Sequence, residues 1–123
     1  MKRTFFMLLA VFVLLAPTAA QAKIVQQLGI AIQSCVVNEN NGVTNGVNVV
    51  YYNTHQSPAT EVDFYIGYHY HKAVLVDRGS FTNGAQINHN LTNGLVGVTW
   101  NGPQPYTCTV QRVVLANGKV LTQ

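Results

Sequence analysis

Charge is scarce in this chain, with seven basic and four acidic side chains spread over 123 residues. Two of the basic residues, Lys2 and Arg3, precede an N-terminal apolar run, and the others form no stripe, block or charged tail. Nucleic-acid binding rests on clustered cations that displace counterions from phosphates, and no such footprint is present. Four acids leave few carboxylate pairs for glycosidase chemistry, which needs two at a defined separation. Serine occurs only at 34, 57 and 80, never as Gly-x-Ser-x-Gly, and no glycine-rich phosphate loop appears. An enzyme is therefore not expected, and no cofactor is implied. Also absent are an internal repeat and, past the N-terminal run, any helix-period segment or any stretch apolar enough to span a bilayer.

The N-terminus carries its own signal. Lys2 and Arg3 are followed by an unbroken apolar run from Phe5 to Ala16 and by Ala20-Gln21-Ala22, a small-x-small cleavage site. That run is too short for a hydrocarbon core of roughly 30 Å, so a secretory signal peptide over residues 1–22 is expected in preference to a membrane anchor. Lipid attachment is not expected, because no cysteine follows the cleavage site. The remaining residues, 23–123, form one exported domain with no membrane span, placed in the periplasm or outside the cell. Its charge balance is close to neutral: Lys23, Lys72, Arg78, Arg112 and Lys119 against Glu39, Glu61, Asp63 and Asp77.

What the chain does have is turn and strand signal. Six of its ten glycines follow asparagine, at Asn41, Asn45, Asn83, Asn93, Asn101 and Asn117. Asn-Gly tolerates φ > 0 at both central positions of a type I′ turn, whose twist matches that of paired strands. Asn93-Gly94 and Asn117-Gly118 are predicted as tight hairpins, while Asn38 to Gly46 reads as a polar loop. Thr60 to Tyr70 is the clearest strand. Val62, Phe64, Ile66, Tyr68 and Tyr70 share one face, and Glu61, Asp63, Tyr65, Gly67, His69 and His71 share the other. Ala73 to Val76 continues as strand and Asp77 to Ser80 turns. In Lys23 to Val37 the apolar phase changes parity, which a break or bulge near Gln33 reconciles. Cys35 and Cys108 read as a disulfide in an exported protein, the alternatives being two buried thiols or metal ligands. Seven or eight short strands with two distant cysteines predict an all-β, antiparallel two-sheet sandwich.

Val49-Val50-Tyr51-Tyr52-Asn53 followed by Ala59-Thr60-Glu61-Val62-Asp63-Phe64-Tyr65-Ile66 resembles the central hairpin of immunoglobulin-like or fibronectin-III-like modules in bacterial exported proteins. Gly79-Ser80-Phe81-Thr82-Asn83-Gly84-Ala85-Gln86-Ile87 is similar to the segment that follows it in such modules. Tyr106, two residues before Cys108, has the tyrosine-corner spacing, but no tryptophan stands on the third strand. The resemblance implies an Ig-like sandwich in an exported setting and carries no activity with it.

Candidate site residues are few. His69 and His71, two apart on one strand face, are spaced to share a metal ion, with His55, His89, Asp63 or Asp77 as possible third ligands. Tyr65 shares that face, and with the two histidines it makes a possible binding face for a protein or glycan partner. Glu61 and Asp63 read as a solvated pair. Asn90-Leu91-Thr92 is a formal glycosylation sequon. The expected role is a binding or structural module, with an exported metal-binding protein, a small hydrolase or a protease inhibitor as alternatives.

Overall fold

The computed structural model describes residues 25–68, 71–99 and 107–123, and every regular element among them is a β-strand. The strands are β1 (Val25–Gln27), β2 (Ile30–Asn40), β3 (Val43–Asn53), β4 (Ala59–Tyr68), β5 (His71–Phe81), β6 (Gln86–Thr99), β7 (Thr107–Leu115) and β8 (Val120–Thr122). They form two four-stranded antiparallel sheets, ordered β1-β2-β3-β6 and β5-β4-β7-β8. The expected all-β sandwich is observed, and Cys35 of β2 is bonded to Cys108 of β7, so the disulfide ties one sheet to the other. The predicted signal peptide, Tyr106 and Asn101-Gly102 lie outside the described residues.

The interior follows the strand alternation. Val47, Val49 and Tyr51 of β3 face Val62, Phe64 and Ile66 of β4, all fully buried. Each such side chain contributes roughly 1.5–3 kcal/mol on leaving water. The Tyr51 ring lies edge-on to Phe64, with centroids 5.0 Å apart, and to Phe81 at 5.9 Å. The break expected near Gln33 is present as a register shift between Ile32 and Ser34, so Ile30 and Ile32 point inward before it and Val37 after it.

Four local expectations are corrected. Asn38 to Gly46 is not a loop: β2 and β3 meet in a two-residue turn, Asn41-Gly42, with φ of 56° and 78°, the positive pair a type I′ turn requires. Asn45-Gly46 falls inside β3, where the register against β6 shifts. Asn117-Gly118 does connect β7 to β8 as predicted. The expected hairpin between Val49–Asn53 and Ala59–Ile66 is a crossover, since β3 and β4 belong to opposite sheets. Buried Asn53 holds that crossover: its amide donates to the carbonyls of Ser57 and Phe81, and its oxygen accepts from the His55 N–H. Asp77 to Ser80 is not a turn but the second half of β5, with a register shift against β4 between Ala59 and Glu61. That register sets Asp77 opposite inward-facing Val62 and Arg78 opposite outward-facing Glu61.

Asn93-Gly94 makes no hairpin either, because both residues lie inside the 14-residue β6. Asn93 reaches the other sheet, where its Nδ2 donates to the Val76 carbonyl at 2.7 Å and its Oδ1 accepts the Val76 N–H at 3.0 Å. One side chain thus serves both backbone groups of an edge-strand residue, as a neighbouring strand would. Gly94 follows because a Cβ there would stand 2.5 Å from Leu75 Cδ2. We expect Asn93→Leu to leave both Val76 groups without their partner and to cost about 1–3 kcal/mol in denaturant unfolding. Amide exchange at Val76 should accelerate in the same variant, and an unchanged exchange rate there would refute this role.

Candidate functional site

The single strand face expected of Tyr65, His69 and His71 is not observed, because β4 ends at Tyr68 and His71 belongs to β5; Tyr65 lies on the outer side of the second sheet, with Glu61 and Asp63. Tyr65 stands half-buried on β4, in register with Val74 of β5 and Thr109 of β7. His69 lies outside the described residues, and His71 opens β5 opposite Tyr68. The structure does not gather the suggested third ligands. His55 donates its Nε2–H to the Leu28 carbonyl at 2.7 Å, Asp63 lies among arginines, and Asp77 and His89 meet each other between the sheets. Among the described residues no group of three or more His, Cys, Asp or Glu is placed to hold a metal ion.

Glu61 and Asp63 are not simply solvated, as their side chains are only 17% and 13% exposed. Strand register explains how they acquire partners. The extra residue Gln111 in β7 turns Arg112 outward opposite Asp63, while Arg78 stands opposite Glu61 in the unbroken register that runs on from Tyr68 and His71. Glu61 accepts from Arg78 Nε at 3.1 Å and from Arg112 Nη1 at 2.7 Å, whereas Asp63 lies 3.9 Å from Arg112. One Asp63 oxygen, Oδ1, is buried without a hydrogen-bond partner among the described residues. Burial, then the hydrogen bond to Glu61 and its charge, push the Asp63 carboxyl up to about 6. That hydrogen bond, followed by Arg78 and Arg112, holds Glu61 below its usual range against the opposing effect of burial.

The two shifts act on stability in opposite directions. A raised carboxyl binds a proton in the fold that the unfolded chain has already released, so stability falls as pH rises through about 6. The Glu61 contribution is present above its unfolded value and is lost only as pH falls through its lowered folded one. Denaturant unfolding should therefore show the wild type losing stability between about pH 4 and pH 7 relative to Asp63→Asn, which keeps a donor toward Glu61 without titrating. Parallel pH profiles for the two proteins would contradict this account.

The other charged cluster is internal. Asp77 is 5% exposed and accepts the Tyr51 hydroxyl at 2.7 Å and the His89 Nδ1–H at 2.8 Å. Tyr51 and His89 come from β3 and β6 of the first sheet and Asp77 from β5 of the second, so the carboxylate latches the sheets together. Burial, followed by the hydrogen bond and charge of Asp77, raises the Tyr51 phenol far above its ordinary range and keeps it a donor. A carboxylate orienting an imidazole supplies two of the three members of a hydrolytic triad. Here no hydroxyl or thiol side chain is bonded to the His89 ring among the described residues, and the carboxylate is shared with a phenol.

A third surface was not anticipated. The outer face of β2, β3 and β6 carries side-chain amides bonded across strands. Asn48 donates to Asn88 at 3.0 Å, Gln86 to Gln33 at 2.9 Å and Asn38 to Asn90, while Gln86 also reaches the Tyr52 hydroxyl at 3.4 Å. Asn90, the sequon asparagine, is exposed and also donates to the Asn45 carbonyl. The period-2 series Gln86-x-Asn88-x-Asn90 carries this face in the sequence, and pairing of β6 with β3 completes it. Compared with known proteins, the chain matches no family model, no curated protein and no solved structure.

Proposed function

We propose that this chain is an exported, non-enzymatic binding module, Ig-like or fibronectin-III-like, working in the periplasm or outside the cell. The Cys35–Cys108 bridge carries this reading. Disulfides persist in oxidising compartments and are rare where thiols are kept reduced, and this one agrees with the leader-like residues 1–22. Strand order also supports it: β2-β3-β6 faces β5-β4-β7-β8, and the chain passes from sheet to sheet rather than completing one first, as in Greek-key sandwiches. The bridge departs from the antibody pattern, which joins strands B and F. If β2, β3 and β6 are matched to A, B and E, Cys35 falls on strand A. A binding role is favoured over catalysis because the His89–Asp77 pair is taken up in holding the sheets together, while two broad outer faces present ordered polar side chains.

Fractionation of the producing cell, followed by thiol alkylation and mass spectrometry, tests this. The protein is expected outside the cytoplasm, beginning at Lys23, with neither cysteine alkylated before reduction. Cytoplasmic protein with both thiols free would overturn the proposal.

A further inference from the structure

The two outer faces differ in charge. The second sheet presents the Glu61, Asp63, Arg78 and Arg112 cluster. On the outer face of the first sheet, the rows Val36–Asn48–Asn90, Ser34–Val50–Asn88 and Tyr52–Gln86 hold no ionisable group except the Tyr52 phenol. Among the described residues of that sheet, the acids and bases are Glu39, near the β2–β3 turn, and His89, bonded to Asp77 on the inner side. Gln86, Asn88 and Asn90 are exposed, and Asn48 and Tyr52 are half-exposed.

We infer that this amide face binds a neutral polysaccharide. Charge complementarity selects that occupant. With no cation on the face, a phosphate-bearing or carboxylate-bearing polymer gains nothing there. A protein partner would bury amides under apolar side chains, at the cost of their unmet bonds to water. Sugar hydroxyls donate and accept at once, as carboxamides do. An amide has two N–H donors and two acceptor sites, so each cross-strand pair keeps free capacity after bonding its neighbour. Those cross-strand bonds also fix the amides before a ligand arrives, which lowers the entropy lost on binding. Tyr52, beside Gln86, offers a ring on which the apolar side of a sugar can rest, and Val50 and Val36 floor the adjoining rows. The face is flat and open along the strands, which suits a chain polymer better than a small enclosed ligand.

This inference rests on the exported-module reading, and the two can fail separately, because oxidation state and location are measured without any glycan. The test is native affinity electrophoresis of the oxidised protein through gels containing hydroxyethyl cellulose, galactomannan or dextran, with polygalacturonate as the anionic counterpart. Retardation by at least one neutral polymer, insensitive to added salt, is expected. Asn88→Asp with Asn90→Asp, and separately Tyr52→Ala, should weaken it about tenfold or more, the loss of roughly one or two good contacts. Tyr65→Ala, on the opposite sheet, should leave it unchanged. All variants are first required to show wild-type near-ultraviolet circular dichroism, and because Asn88 and Asn90 are exposed the charged variant provides a folded test even if Tyr52→Ala does not. Four results would overturn the inference: no retardation by any neutral polymer, salt-sensitive retardation by polygalacturonate alone, retardation lost in Tyr65→Ala but kept in the amide variant, or concentration-dependent self-association through this face.

Discussion

Reducing Cys35–Cys108 should lower the unfolding free energy by roughly 4 kcal/mol, the loop-closure entropy for cysteines 73 positions apart. Domains of this size have about 5–15 kcal/mol in total, so the reduced protein should sit near the edge of stability. The bridge also has a position that few other contacts duplicate. Within each sheet the strands are held by ladders of backbone bonds, whereas the sheets meet through apolar packing and a few side-chain bonds. One of these runs from the Val110 N–H to Gln27, and another is the Asn93–Val76 pair. Losing the bridge therefore releases β2 from β7 while leaving each sheet intact. Urea unfolding of the oxidised protein, and of Cys35→Ala with Cys108→Ala, should show midpoints separated by about 2 M, given a typical slope of about 2 kcal/mol per molar. A common midpoint would show that the packing of β1 and β2 on β7 suffices and that the bridge is dispensable.

Much of the architecture was legible in the sequence, and the misreadings share a cause. Strand content, the inward set Val62, Phe64 and Ile66, the break at Gln33 and the cysteine pairing all follow from local alternation and cysteine count. Asn-Gly pairs were harder to read, because the dipeptide supplies two separable properties. At Asn41-Gly42 both residues use positive φ and make a turn. At Asn93-Gly94 the asparagine acts through its amide and the glycine through its missing Cβ, so the strand continues. No local pattern separates these cases, since the difference is the presence of Val76 and Leu75 on the other sheet.

The sites show the same boundary. Glu61 and Asp63 are visible as a pair on one strand face, but their arginines come from β5 and β7, and Arg112 faces outward only because the extra residue Gln111 inverts the parity that a regular strand would give. Asp77 reads as a turn residue in the sequence because an acid beside Arg78, Gly79 and Ser80 has turn composition. Its inward aspect comes from the pairing of β5 with β4 opposite Val62, and its partners, Tyr51 and His89, stand 26 and 12 positions away in the sequence. The amide series on β6 could be read as alternation, but its neutrality as a face emerges only once β2 and β3 are laid beside it.

Removing the Asp77 carboxylate should be as damaging as losing the disulfide, and strongly non-additive with Tyr51. Asp77→Leu leaves the Tyr51 phenol buried beside an apolar side chain and deprives His89 of its acceptor, a loss expected near 3–5 kcal/mol. Tyr51→Phe removes only one of the two donors. Asp77 then keeps His89, and the ring's edge-on packing against Phe64 and Phe81 survives, so about 1–2 kcal/mol is expected. In the double variant the unpaired phenol no longer exists, and two apolar side chains meet between the sheets. Replacing a whole buried polar pair is commonly near neutral where breaking it is not. The double variant should therefore be more stable than Asp77→Leu alone, with a coupling energy of about 1–3 kcal/mol in a double-mutant cycle. Simple additivity would mean that Asp77 answers chiefly to His89, making the imidazole rather than the phenol the partner that holds β5 against the first sheet.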